Sequence, residues 1–144
     1  MSKHETRKRL EEKLTRECGS VFMQALRDPA VIEIMLNPDG SLWIEKYGQD
    51  HDRIGVIPVA QGRLILSQVA SGLDLTVNEK NPIVEGEFPL DGSRFEGTFP
   101  PIVGPGPSFS LRKKASRVFT LEEYMLSRSL TPEAVSIIEE AVRQ

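Results

Sequence analysis

Val31-Ile32-Glu33-Ile34-Met35-Leu36-Asn37-Pro38-Asp39-Gly40-Ser41-Leu42-Trp43-Ile44-Glu45 is the stretch that decides the architecture. Residues 31–36 are rich in apolar and β-branched side chains, which suit a pleated, half-buried surface. Asn37-Pro38-Asp39-Gly40 then concentrates turn-forming residues, and residues 42–45 resume extended character. The segment reads as a β-hairpin, and a hairpin needs further strands or packed helices to be stable.

Both flanks supply them. On the N-terminal side Leu10, Leu14, Cys18, Val21, Phe22 and Leu26 recur at spacings of three and four, predicting an amphipathic helix over residues 6–27 that Asp28-Pro29 ends. On the C-terminal side residues 52–58 can add a third strand. Leu64, Ile65, Val69 and Leu73 mark a second helix over residues 59–73, packed on a sheet face. Residues 83–88 and 94–99 form a second hairpin around Leu90-Asp91-Gly92-Ser93, with Glu85, Glu87 and Glu96 facing solvent. Residues 100–107 hold four prolines and two glycines, a rigid loop and no central strand. Residues 108–112 alternate small polar with large apolar side chains, a strand that delivers Arg112 near its end. The fold class is therefore α/β in the α+β sense: a mixed or antiparallel sheet with packed helices and an N-terminal amphipathic helix.

Beyond the sheet, Thr120 with Glu123 fits a capping box opening a short helix to about residue 127. Thr131-Pro132 is an N-cap followed by proline at the first helical position. Val135, Ile138 and Val142 stripe that last helix, which reaches Gln144 without a C-cap signal, so an excised piece is expected. Residues 115–131 read as a link.

Composition bounds the function. The 144 residues, 39% hydrophobic and 27% charged, match one globular domain with a core of its own. A lone cysteine, Cys18, excludes a disulfide within the chain and a multi-thiol metal site. Its place in the apolar stripe marks it as a small buried hydrophobe. No apolar run of 18 residues or so is present and residues 1–9 are polar, so a soluble, cytoplasmic protein is expected. The net charge of -3 argues against whole-surface binding of polyanions, and no sequence-specific contact with nucleic acid is expected. Charge is uneven, however. Residues 29–111 carry eleven acids against five bases, and Arg112, Lys113, Lys114 and Arg117 then follow without an acid between them.

Several chemistries fall away. His4 and His51 share no metal-ligand spacing and read as solvated residues. Glu85 and Glu87, about 7 Å apart along one strand face, match the carboxylate separation of an inverting glycosidase. The chain nevertheless offers one tryptophan and 6% aromatics to line a sugar cleft, and plain strand alternation explains the pair. There is no Gly-x-Ser-x-Gly elbow, and no Gly precedes a Lys, so a P-loop is missing and this chain should not hydrolyse ATP alone. What remains is Arg94 and Arg112 on adjacent strand segments. Guanidinium forks suit phosphate oxygens, and an anion site is the functional reading. Two surface arginines bridging to the surplus acids of residues 29–111 is the plain alternative, and spacing leaves both open.

Three stretches in this order and spacing resemble a known family: residues 28–37 with 42–45, then Asp91-Gly92-Ser93-Arg94-Phe95-Glu96-Gly97 with Pro100-Pro101, then Phe109-Ser110-Leu111-Arg112-Lys113. They are similar to the N-terminal domain of the secretion traffic ATPases, of the TrbB type that serves conjugative DNA transfer. Residues 118–124 resemble that family's linker into its motor domain. The resemblance implies a PAS-like domain over residues 1–117, with residues 118–144 leading toward a RecA-like motor domain absent here. It also implies a homo-hexameric, cytoplasmic type IV secretion ATPase at the inner-membrane face, partnered by the secretion machinery. In the family two arginines reach the terminal phosphates of ATP, whose Mg ion belongs to the motor domain, and the matching positions here are Arg94 and Arg112. A different class of function is a PAS-like interaction module whose basic cluster docks an acidic protein or an anionic membrane surface.

Overall fold

The structure, a computed structural model, describes residues 2–114, 120–126, 128 and 130–143. It divides into two units, 1–114 and 115–144. The expected boundary after residue 117 falls among residues 115–119, which lie outside the described residues, as do Arg117 and the linker residues Val118 and Phe119.

In the first unit α1 spans Lys3–Arg27, opened by a capping box: the Glu5 amide donates to Ser2 Oγ at 3.2 Å and the Ser2 amide to Glu5 Oε2 at 3.3 Å. The helix is not continuous. Gly19 sits at φ 81°, ψ 170°, and divides α1 into two helical segments. The apolar spacing runs unbroken through the interruption, which is why periodicity reads one helix. Only the glycine, free of a Cβ, marks where the backbone departs.

The strands are β1 (Val31–Leu36), β2 (Ser41–Lys46), β3 (Asp52–Val56), β4 (Ile83–Glu87), β5 (Arg94–Thr98) and β6 (Ser108–Arg112), with α2 (Val59–Gly72) between β3 and β4. They form one six-stranded sheet ordered β3-β2-β1-β6-β5-β4, with every neighbouring pair antiparallel. Two three-stranded meanders are thus sewn together where β6 returns beside β1. The α+β expectation and both hairpins stand. In the first turn, Asp39 accepts from the Ser41 amide at 2.8 Å and from its hydroxyl at 2.5 Å, which holds the Asp39 carboxyl below the usual carboxylate range. Gly40 adopts φ 88°, and a Cβ there would lie 2.9 Å from the Ile57 carbonyl oxygen, so no other residue serves.

Alternation fixes one face of the sheet as the core. Ile34, Leu36, Leu42, Ile44, Val84, Phe95, Phe109 and Leu111 are buried beneath α1 and α2. Phe22 of α1 and Phe88 join Phe95 and Phe109 in a continuous ring cluster with centroids 5.2–6.0 Å apart. A Cβ on Gly97 would run into Leu66 of α2, so the glycine lets the helix settle onto β5. The proline-rich loop packs back on the molecule, with Pro107 against Gly62 and Gly106 against the first turn.

In the second unit α3 spans Leu121–Leu126 and α4 Pro132–Arg143. The capping box at Thr120 and Glu123 is formed in both directions, at 2.9 and 3.2 Å, and the Ala134 amide donates to Thr131 Oγ1 at 3.2 Å.

Candidate anion site on the open sheet face

The face of the sheet opposite α1 and α2 is polar, and its rows follow from register. One row crosses the sheet as Glu87, Arg94, Arg112, Glu33 and Glu45, on β4, β5, β6, β1 and β2. The next is Glu85, Glu96, Ser110, Met35, Trp43 and Arg53. Glu85, Glu87 and Glu96 are exposed, as alternation predicts. Arg94 and Arg112 are direct cross-strand partners, a position that puts two Cβ atoms about 4.5–5.5 Å apart on one face.

Their placement is rigid. Arg94 lies between Ser93, 1% exposed, and Phe95, fully buried, and Arg112 follows the fully buried Leu111. The Asp91-Gly92-Ser93 turn before Arg94 is closed by its own hydrogen bonds. Asp91 accepts from the Ser93 amide at 2.9 Å and hydroxyl at 2.6 Å, and the Gly92 amide donates to the Phe88 carbonyl at 2.8 Å. The guanidinium groups therefore project from a fixed sheet corner into solvent.

Whether the arginines bridge to internal acids has a divided answer. Arg94 Nη2 stands 3.8 Å from Glu85 Oε1, with the two side chains 76% and 55% exposed. That is beyond hydrogen-bond distance, and exposed pairs of this kind contribute about 0–1 kcal/mol. Arg112 makes no ion pair and no side-chain hydrogen bond among the described residues. Glu33, its cross-strand neighbour, accepts instead from the Ser110 hydroxyl at 2.5 Å. Two like charges directly opposite on a sheet repel, and here the pair is flanked in the same row by Glu87 opposite Arg94 and Glu33 opposite Arg112.

An open groove of about 600 Å³ lies here, lined by Glu85, Glu87, Gly92, Arg94, Arg112 and Lys114 among others. The basic run is split between two tasks. Lys113 turns toward α1, where its Nζ donates to the Asp28 carbonyl at 2.5 Å and lies 3.5 Å from that of Ala25. It neutralises the carbonyl end of the helix, and burial pulls its pKa down while Asp28 and Asp91 oppose the fall. Within the basic run Lys113 is therefore a helix-end residue. Lys114 remains exposed in the groove. The signal was available, because strand alternation continued past Arg112 sends 113 inward and 114 outward.

The other candidates are placed without chemistry. Cys18 is buried, which pushes its thiol up to about 12, with Glu17 adding to the rise. His4 is exposed, and His51 Nε2 sits 3.4 Å from Glu45 Oε2 on the surface. Among the described residues no group of three or more His, Cys, Asp or Glu is placed to hold a metal ion, and no helix is long and apolar enough to cross a membrane.

Comparison with known proteins carries the resemblance further. The chain is 40% identical over 134 residues to the conjugal transfer protein TrbB of Rhizobium radiobacter, covering 93% of this chain and 41% of that protein. The same identity and coverage hold for the probable conjugal transfer protein TrbB of Sinorhizobium fredii (strain NBRC 101917 / NGR234). The chain thus spans about two fifths of the length of the curated relatives it matches. No protein-family model matches it. Its fold matches the crystal structure of the VirB11 ATPase from the Brucella suis type IV secretion system in complex with sulphate. The TM-score is 0.71 and the identity 19%, over 96% of this chain and 45% of that one.

Proposed function

We propose that this chain is the N-terminal, nucleotide-contacting and ring-forming domain of a hexameric TrbB-type ATPase that powers conjugative DNA transfer through a type IV secretion system. The observation that carries the reading is the facing pair Arg94 and Arg112, fixed by buried neighbours, exposed to solvent, and held by no hydrogen-bonded internal carboxylate among the described residues. The donor set fits a phosphate: two guanidinium forks from one sheet corner, in a groove large enough for a polyphosphate.

ATP bound by the RecA-like motor domain of the longer protein would supply a terminal phosphate, with its Mg ion held on that side. Arg94 and Arg112 would hold that phosphate's charge, and the sheet would turn its presence into a change of angle between the two domains. Contacts to charged groups contribute about 1.5–3 kcal/mol each, enough to bias a two-state rotation by one to two orders of magnitude. The similarity to conjugal transfer proteins TrbB over nearly the whole chain supports the transfer role; the hexamer beside the secretion machinery at the cytoplasmic face of the inner membrane is what the family resemblance implies.

The competing reading, a module that docks an acidic protein or anionic membrane through its basic run, is weakened because the Lys113 ammonium is occupied at the end of α1. The test is the full-length protein with Arg94→Ala and Arg112→Ala. ATP turnover and transfer frequency are expected to fall by at least about tenfold, and normal values of both would overturn the proposal.

A further inference from the structure

Lys114 decides the sign of charge in the groove. Lys113 also lines the groove, but its ammonium is bound to the Asp28 carbonyl, so apart from Lys114 the charged ends free to meet a ligand there are Arg94 and Arg112 against Glu85 and Glu87. Lys114 tips that balance to positive. Its ammonium lies beside Gly92, where a Cβ would meet Lys114 Nζ at 2.9 Å and Cε at 3.4 Å. Gly92 stands at φ 75°, two residues before Arg94. One turn thereby launches the Arg94 strand and seats the lysine.

We propose that Lys114 is the third cation of this site and makes it selective for a chain of linked phosphates over a single phosphate. The proposal rests on the reading that Arg94 and Arg112 meet phosphate. The arginines face one another across adjacent strands, while Lys114 lies two residues beyond Arg112, about 7 Å along the strand direction. A single phosphate spans the arginine pair; a second or third one along the chain reaches Lys114. Glu85 and Glu87 line the far side of the groove, so the cations have to outweigh two carboxylates before an anion binds.

The experiment is an NMR titration of this chain with inorganic tripolyphosphate and, separately, inorganic phosphate, at two salt concentrations. Lys114→Gln is expected to weaken tripolyphosphate about two- to fivefold, the range of one exposed charge contact. It should flatten the salt dependence and leave inorganic phosphate nearly unchanged, and Lys114→Arg should restore the loss. Lys113→Gln should leave both affinities close to wild type. If Lys114→Gln binds tripolyphosphate as the wild type does while Arg94→Gln with Arg112→Gln abolishes binding, the Lys114 proposal is overturned and the arginine reading stands. If the double arginine variant binds unchanged, or the wild-type chain shows no saturable shift, the arginine reading itself falls and this proposal with it.

Discussion

The two faces of the sheet are built from the same residues in alternation, yet they obey opposite rules. Phe95 and Leu111 on one face are fully buried in the core, Phe95 within the ring cluster. Arg94 and Arg112, their immediate neighbours on the other face, oppose one another with no hydrogen-bonded carboxylate among the described residues. Stability explains the first pair. The second pair contributes nothing to the core, and the proposed phosphate contact is what would give it a role.

The comparison breaks most visibly at Phe95. Phe95→Ala removes a ring that stacks on Phe88 at 5.6 Å and tilts against Phe109 at 5.2 Å, and should cost about 3–5 kcal/mol in chemical denaturation. Arg94→Ala, one residue away, should change stability by less than about 0.5 kcal/mol. Equal losses at the two positions would erase the distinction between the faces. Gly97→Ala should cost about 1–3 kcal/mol, because the new methyl meets Leu66 and α2 has to shift off β5. A thermal melt unchanged by Gly97→Ala would show that the helix rides more loosely on the sheet.

Much of this was legible from local pattern. Period-two alternation separated Glu85, Glu87 and Glu96 from Val84 and Phe95, the Asn37-Pro38-Asp39-Gly40 turn declared itself, and the caps at Thr120 and Thr131 formed as their residues suggest. What local pattern does not contain is long-range pairing. That β6 lies between β1 and β5, which sets Arg112 opposite Arg94 and beside Glu33, depends on how two meanders join across more than seventy residues. The interruption at Gly19 was hidden for the opposite reason: an apolar stripe persists across it, and periodicity is blind to a single departing residue. The split between Lys113 and Lys114 was hidden by treating a run of charge as one feature.

That split gives a third test. Lys113→Met removes a cation from the carbonyl end of α1 and should cost about 0.3–1 kcal/mol, the range for a charge at a helix terminus. Lys114→Met should leave the melting curve in place. A reversed result would move the structural role to Lys114 and empty the groove of its third charge.

The smallest effect is also the most diagnostic. Arg112→Gln keeps a long polar side chain and removes one member of the facing cationic pair, and no ion pair or side-chain hydrogen bond among the described residues is lost with it. Like charges directly opposite on an antiparallel pair cost about 0.2–1 kcal/mol and opposite charges, such as Arg112 and Glu33, gain a similar amount, so the variant should stay within about 1 kcal/mol of the wild type. Any gain should shrink at high salt, since exposed charges on this scale are screened. A loss above about 1 kcal/mol would mean that Arg112 holds the sheet together, and its exposure would then need another explanation. A gain would mean that the fold tolerates an internal repulsion where the proposed phosphate would relieve it.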